Sequence, residues 1–179
     1  MKNKQVRFTT QTAMMLALLV VVQFMTGSLG QLLTGSLVNM ILLVTTFMVG
    51  LNSGLFLAFV SPFLAHFLGI GPAFIQIVVF VALGNVVLVT IAWLTADKNI
   101  AEGKKFLVNG LFLVIAGIAK TAFLWLGLVK LALPLIPGLT DPQIAMISTS
   151  FTWPQIITAC IGAFLTLIIV PMIKKSDKK

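Results

Sequence analysis

Phe106-Leu-Val-Asn-Gly-Leu-Phe-Leu-Val-Ile-Ala-Gly-Ile-Ala-Lys120 opens an apolar run that continues to Leu133; Lys120 lies deep inside this run, and Lys130 lies near its end. Fourteen uncharged residues precede Lys120, so in a helix it lies about 21 Å from Phe106. That position is beyond the midplane of a hydrocarbon layer about 30 Å thick. An ammonium group at this depth is costly, and such residues usually face a protein interior or a wet cavity on a substrate path.

Two structural explanations for Lys120 compete with a role in ligand binding. Its apolar stem could carry the ammonium group to the nearer interface, which is known as snorkelling. Alternatively, the ammonium group could pair with Asp141 in the loop that follows. The sequence leaves these explanations and a ligand-binding role open.

The composition of the whole chain is typical of a helical membrane protein. Of its 179 residues, 59% are hydrophobic and 9% are charged, and no Asp, Glu, Lys or Arg lies between Arg7 and Asp97. At about 20 residues per span, this interval holds four helices. We therefore predict an all-α integral membrane protein, a six-transmembrane-helix bundle that forms one domain over residues 1–179. The predicted spans lie near residues 8–25, 37–49, 55–68, 73–94, 106–128 and 151–173.

The placement of the basic residues predicts the orientation. Ten of the twelve cations precede the first span, lie in the loop at residues 97–105, or follow the last span: Lys2, Lys4, Arg7, Lys98, Lys104, Lys105, Lys174, Lys175, Lys178 and Lys179. They share one side only if four spans precede that loop and two follow it. By the positive-inside rule, both termini are then cytoplasmic. The net charge of +8 thus reflects a multi-pass topology in the cell membrane and does not indicate nucleic-acid binding.

Motifs for catalysis are missing from the chain. No Gly-xxxx-Gly-Lys-Ser/Thr loop is present, so ATP hydrolysis by the P-loop route is excluded. With one histidine and one cysteine, Cys160, the chain supports neither a built-in zinc site nor a Ser-His-Asp triad. All four acids lie in loops or the tail. We expect a protein that is not an enzyme and needs no cofactor or metal.

Two outer connections are predicted to be irregular. Thr26–Ser36 contains three glycines among hydroxyl residues, which predicts a long uncharged loop suited to a lid or binding role. Leu133–Pro142 contains three prolines and is predicted not to form regular helix.

In the fourth span, Gln76 and Asn85 are nine positions apart, about half a turn out of phase. At most one of these two side chains is therefore expected to point straight into a cavity.

Neutral polar and aromatic side chains from several spans converge on the predicted outer side. Gln31 and Gln155 are predicted to lie in the outer leaflet or outer loops, and Lys120 and Asn85 lie deeper in the membrane. One cation without an acid suits a small anionic or carboxylate-bearing ligand. Each member also has a structural explanation, since tryptophans often lie at membrane interfaces and a lone histidine is more often an interfacial residue than a ligand-binding one. The predicted substrate-binding residues are Lys120, Asn85, Gln76, His66, Asn39, Thr34, Trp125 and Trp153.

The first span contains Ala13-Met-Met-Leu-Ala17, two small residues on one helix face. Small residues at this spacing let helices approach closely in lipid. On this pattern alone, ordinary packing inside the bundle is the better explanation than a contact with another subunit.

With these features the chain resembles the substrate-binding (S) subunit of energy-coupling factor vitamin transporters. The resemblance covers the whole length: the size, the six spans, the basic cytoplasmic ends, the long outer loop and the outward-facing pocket. Ala13 and Ala17 match the alanine motif of this family, which implies that they contact the transmembrane coupling (T) subunit. The resemblance further implies that the protein binds a vitamin from outside and topples in the lipid bilayer against a coupling subunit driven by two ATPase subunits.

Among the subfamilies, the chain looks most like the pantothenate-specific type. Pantothenate offers one carboxylate for Lys120, with hydroxyls and an amide for Asn, Gln and His side chains. Biotin and niacin also carry a carboxylate, and for folate Lys130 could supply a second cation. Cobalamin and hydroxymethylpyrimidine remain as further alternatives.

Other classes of protein make different predictions. A stand-alone facilitator or channel needs a polar track through the whole bilayer, yet the inner halves of the spans are mostly apolar, with Asn109 the main exception. A structural or assembly protein would use the polar residues only to hold helices together. A membrane enzyme has the least support.

Overall fold

The computed structural model describes residues 2–97 and 106–176. Most of the predicted inner loop Asp97–Lys105 lies outside these residues. The same applies to five of the ten lysines and arginines on which the predicted orientation rests, namely Lys98, Lys104, Lys105, Lys178 and Lys179.

The described residues form helices and their connections, without a β-strand. The α-helices are α1 (Lys2–Thr26), α2 (Gln31–Met48), α3 (Leu51–Phe67), α4 (Ile75–Thr95), α5 (Phe106–Phe123), α6 (Asp141–Ser150) and α7 (Trp153–Ser176). After α5 the chain continues as a π-helix, Leu124–Ala132, and a 3₁₀ turn, Leu133–Leu135. An all-helical fold is confirmed.

Within residues 2–97 and 106–176, five helical segments are long and apolar enough to cross a membrane: Asn3–Leu29, Gln31–Met48, Ile75–Thr95, Phe106–Leu135 and Asp141–Ser176. The last of these joins α6 and α7 in sequence. The predicted third span corresponds to α3, which is apolar but only 17 residues long and contains Pro62. A helix of this length is at the lower limit for spanning the hydrocarbon core.

The predicted long outer loop Thr26–Ser36 is wrong. The chain makes a short 3₁₀ turn, Gly27–Leu29, and Gly30 at φ 102° then leads directly into α2. The hydroxyl of Ser36 donates a hydrogen bond to the Leu32 carbonyl at 2.6 Å, so it is satisfied within the helix. Gly35 costs about 1 kcal/mol in helix propensity, but it lets α2 approach α7, where a Cβ at this position would lie 3.0 Å from Thr158 Cγ2.

The outer connection after the fifth span is only partly irregular. Residues 136–140 are not helical, but Asp141–Ser150, which the sequence predicts to be loop, forms α6. Pro142 lies in the first turn of α6, where proline removes no helical hydrogen bond. The backbone N–H of Thr140 donates to Gln143 Oε1 at 2.9 Å, which completes the start of the helix.

Helices α2 and α7 pack closely because small residues meet at their contact. A Cβ at Gly162 would lie 2.8 Å from Asn39 Cβ and 3.0 Å from the Ser36 carbonyl oxygen. Ala159 and Ala163 on the same face of α7 are buried. The small-residue face of the last span therefore packs inside the bundle and brings Asn39 of α2 next to α7.

Helix α1 is attached to the bundle along one narrow face. Leu19 is fully buried, and the hydroxyls of Thr12 and Ser53 form a hydrogen bond of 2.6 Å between α1 and α3. Ala13 and Ala17 are exposed on the opposite part of α1. The alanine pair is thus not used for packing within the described chain.

Candidate ligand-binding site

A cavity of about 520 Å³ lies at one end of the bundle. It is bordered by the C-terminal parts of α1, α3 and α5, by the N-terminal parts of α2, α4 and α7, and by α6. Its apolar wall includes Pro62, Ile70, Phe74, Ile77, Val81, Met146, Ile147 and Phe151. Its polar lining consists of Gln23, Gln31, Thr34, Asn39, Asn85, Lys120, Gln143, Ser150 and Gln155. A cavity of this size, largely apolar with a few polar groups, is typical of small-molecule sites.

Lys120 borders the cavity from α5 and is only 4% exposed. Its Nζ donates a hydrogen bond of 2.7 Å to Asn39 Oδ1 on α2. The ammonium group is thus held inside the bundle, which contradicts snorkelling to an interface. Its partner is Asn39, whereas Asp141 is exposed and does not border the cavity, so the predicted alternative of a Lys120–Asp141 pair is wrong.

No aspartate or glutamate occurs among the described residues that line the cavity. Lys120 has three N–H donors, and one of them is used by Asn39. The remaining donors and the positive charge are therefore available to a molecule in the cavity. Because a charge in a membrane interior is costly unless it is paired, a bound anion would stabilise this arrangement.

A chain of hydrogen bonds fixes the partner of Lys120. Asn39 Nδ2 donates to Thr158 Oγ1 at 3.3 Å, and Thr158 Oγ1 donates to the Gln155 carbonyl at 3.0 Å. This chain links α5, α2 and α7. It orients the Asn39 amide with its oxygen toward Lys120, which fixes the ammonium group at the wall of the cavity.

Helix α6 closes against the cavity through one backbone carbonyl at its C-terminal end. The Ser150 carbonyl accepts hydrogen bonds from Gln31 Nε2 at 2.7 Å and from Gln155 Nε2 at 3.2 Å. Helix C-terminal carbonyls lack partners within the helix, so these two glutamines satisfy an otherwise open acceptor. They also tie α6 to α2 and α7.

Four of the eight predicted substrate-binding residues line the cavity. They are Lys120, Asn85, Asn39 and Thr34. The Thr34 hydroxyl donates to the Thr26 carbonyl at 2.7 Å, so it also fastens the turn between α1 and α2.

The other four predicted residues lie outside the cavity. Gln76 is exposed, so of the two side chains half a turn apart on α4 it is Asn85 that borders the cavity. His66 Nδ1 forms a hydrogen bond of 2.7 Å with the Pro72 carbonyl and stabilises the turn after α3. Trp125 is 42% exposed with Lys130 Nζ 5.2 Å from its ring centre, and Trp153 is 56% exposed. Both positions agree with the alternative that these tryptophans face a membrane interface.

Comparison with known proteins identifies no relative. No protein-family model, no curated protein and no solved structure matches the chain. What the cavity binds must therefore be argued from its own side chains.

Sequence reasoning missed several residues of the cavity. Gln143, Met146 and Ser150 belong to α6, which was expected to be loop, so no helix face could be assigned to them. Gln23 lies near the end of α1 within the apolar segment Leu16–Met25. An isolated glutamine in such a segment is a usable signal, because an uncompensated amide is costly in lipid.

Two amide oxygens at the cavity have no hydrogen-bond partner among the described residues. They belong to Asn85, which is 2% exposed, and to Gln23. Both side chains border the cavity. The site therefore combines one cation, two amide side chains whose oxygens are unpaired, and an apolar wall.

Proposed function

We propose that this protein is the vitamin-binding S subunit of an energy-coupling factor importer and that its ligand is a small carboxylate, with pantothenate the first candidate. The observation that carries the proposal is the buried ammonium group of Lys120, which borders a cavity of about 520 Å³ and has no acidic neighbour among the described residues. A carboxylate seated in the cavity would supply the missing negative charge. Charge-assisted hydrogen bonds of this kind are stronger than neutral ones.

The size and charge of the cavity narrow the choice of vitamin. A volume of about 520 Å³ suits a small molecule and favours pantothenate, biotin or niacin over the much larger cobalamin. Lys130, the second cation considered for folate, stacks on Trp125 and does not border the cavity. Hydroxymethylpyrimidine carries no carboxylate and would leave Lys120 without a counter-charge.

The exposed alanines of α1 support the proposal that a separate coupling subunit contacts this protein. Ala13 and Ala17 are exposed, so a helix of a transmembrane coupling subunit could approach α1 closely at this face. The sequence has no P-loop. The energy for transport would then come from two separate ATPase subunits.

A stand-alone channel is less well supported, because the polar groups toward the other end of the bundle are already satisfied. Asn109 Oδ1 accepts a hydrogen bond of 2.9 Å from the Asp97 backbone N–H. The hydroxyls of Thr45 and Thr46 donate to carbonyls of their own helix at 2.7 Å. These groups hold local structure and do not extend the cavity into a polar track.

We further propose that α3 serves as a short sixth span, which places both termini and the loop at residues 97–105 in the cytoplasm. A single cysteine at position 100, in a chain whose Cys160 is replaced by alanine, should then react with a membrane-impermeant maleimide only after the cells are opened. A cysteine at position 69, in the turn at the other end, is the control and should react in intact cells. Labelling of position 100 from outside would refute the six-span arrangement.

The proposed ligand class can be tested by thermal unfolding of the purified protein with pantothenate, biotin, nicotinate, folate, cobalamin and hydroxymethylpyrimidine. We expect one small carboxylate to raise the unfolding temperature. A ligand at 1,000 times its Kd stabilises the folded state by about 4.1 kcal/mol. No stabilisation by any of the six compounds, or stabilisation by hydroxymethylpyrimidine alone, would contradict the proposal.

A further inference from the structure

We infer that the ligand carries O–H or N–H donors in addition to its carboxylate, and that the amide oxygens of Asn85 and Gln23 accept hydrogen bonds from them. This inference rests on the proposed function and narrows its substrate class. It assigns a binding role to Gln23 and a specific role, that of acceptor, to Asn85.

Asn85 carries a buried, unpaired amide oxygen on a side chain that borders the cavity. It lies in the middle of α4, is 2% exposed, and its Oδ1 has no hydrogen-bond partner among the described residues. Leaving a buried acceptor unpaired is unfavourable, and native proteins rarely do so. The oxygen itself has almost no accessible surface, but the side chain borders the cavity, so rotation of the amide would turn the oxygen toward a donor on a bound molecule.

Gln23 repeats this arrangement on another helix. Its Oε1 is buried without a partner among the described residues, and the side chain borders the cavity from α1. Three buried side-chain atoms in the described part of the chain are unpaired, and the third is the hydroxyl of Ser61. Two of the three therefore belong to residues of the same cavity.

The rest of the cavity shows that unpaired acceptors are not a general property of this bundle. Gln143 Oε1 accepts a hydrogen bond from the Thr140 backbone N–H, and the Ser150 carbonyl accepts hydrogen bonds from Gln31 and Gln155. Asn39 uses both its oxygen and its nitrogen. Against this background, the open oxygens of Asn85 and Gln23 form a distinct pair.

The three open groups together define a chemical class. The Lys120 ammonium group donates and fits a carboxylate, whereas the two amide oxygens accept and fit hydroxyl, amide or ureido hydrogens. Nicotinate has a carboxylate but no such hydrogens. Pantothenate has two hydroxyls and an amide N–H, and biotin has two ureido N–H groups. The ligand is therefore a hydroxyl- or amide-bearing carboxylic acid and not a simple aromatic acid.

The test is isothermal titration of the purified full-length protein with four compounds: pantothenate, biotin, nicotinate and the di-O-methyl ether of pantothenate. If biotin is the better ligand, N-methylated biotin replaces the ether as the methylated acid. We expect pantothenate or biotin to bind at least tenfold more tightly than nicotinate and than its own methylated form. Asn85→Leu and Gln23→Met, which keep the side-chain size without the amide, should each weaken binding of the preferred acid by about 5- to 150-fold. Each variant should also bind the acid and its methylated form with more similar affinities than the wild type does.

Gln76→Leu is the matched control, because Gln76 lies on the same helix as Asn85 but is exposed outside the cavity. It should bind the preferred acid as the wild type does. Nicotinate binding as tightly as pantothenate and biotin, or undiminished binding of the methylated acid to the wild type, would overturn the inference and leave the proposed carboxylate site intact. If none of the four compounds binds, the proposed function fails and the inference fails with it.

Discussion

Replacement of Lys120 by methionine is expected to weaken binding of the carboxylate ligand by roughly 10- to 150-fold. A hydrogen bond to a charged group contributes about 1.5–3 kcal/mol, and each 1.4 kcal/mol changes the affinity tenfold. Methionine keeps much of the stem that fills the space beside Asn39 but removes the charge and the donors. Isothermal titration of wild type and variant with pantothenate measures the loss.

The folded state should survive this change. Asn39 Oδ1 loses its 2.7 Å donor, which is unfavourable, but a buried unpaired charge is removed at the same time.

Lys130→Met is the matched control, because Lys130 stacks on Trp125 outside the cavity; it should bind the ligand as the wild type does. Lys120→Arg is not expected to restore affinity, since a planar guanidinium group differs in shape from a compact ammonium group. If wild type and Lys120→Met bind the ligand with equal affinity, Lys120 does not bind the carboxylate and its role is structural.

Replacement of Ala17 by tryptophan is expected to abolish the proposed complex with a coupling subunit, and with it transport, while ligand binding stays within about twofold of wild type. Ala17 is exposed on α1 and does not border the cavity. A bulky side chain keeps helices apart where small residues allow close contact. Co-purification with the coupling and ATPase subunits measures the complex, and titration of the isolated subunit measures binding.

The control for this variant is a tryptophan on an exposed apolar position of a different helix, Ile168→Trp on α7. It tests whether a large side chain on any outward face disturbs assembly. We expect it to co-purify with the other subunits as the wild type does. If Ala17→Trp loses ligand binding but keeps the complex, then the alanine face does not contact the partner.

The sequence predicted the helical class because the long uncharged intervals admit little else, but it misjudged two connections. Glycine and hydroxyl residues in Thr26–Ser36 indicated a loop, whereas the structure uses Gly35 for close helix packing and satisfies Ser36 within its own helix. Likewise, Pro142 indicated irregular chain but begins α6. Local patterns show where a helix is unfavourable in isolation and do not show which tertiary contacts offset that cost.

Half of the predicted binding residues line the cavity, and the other half do not because the direction of a side chain also depends on tertiary structure. Lys120 and Asn39 stand out because polar groups deep in an apolar segment need a partner, and the structure pairs them. His66 and Trp125 shared the predicted outer level but not the cavity-facing side of their helices. The depth of a residue in the membrane follows from counting along the helix. The direction in which its side chain points depends on how the helix is rotated about its axis, and the π-helix that begins after Phe123 changes this rotation just before Trp125. Gln23 could have been found from its isolation in an apolar segment.

The most direct test of the central claim compares pantothenate with its primary amide on wild type and on Lys120→Met, by isothermal titration under identical conditions. The amide keeps the hydroxyls and overall shape of the ligand, but it is neutral and has an NH₂ group in place of one carboxylate oxygen. If Lys120 binds the carboxylate, the wild type should prefer the acid by at least tenfold, and the methionine variant should lose most of that preference. The same preference in both proteins would contradict a carboxylate site at Lys120, and the assignment of a carboxylate vitamin would be lost with it.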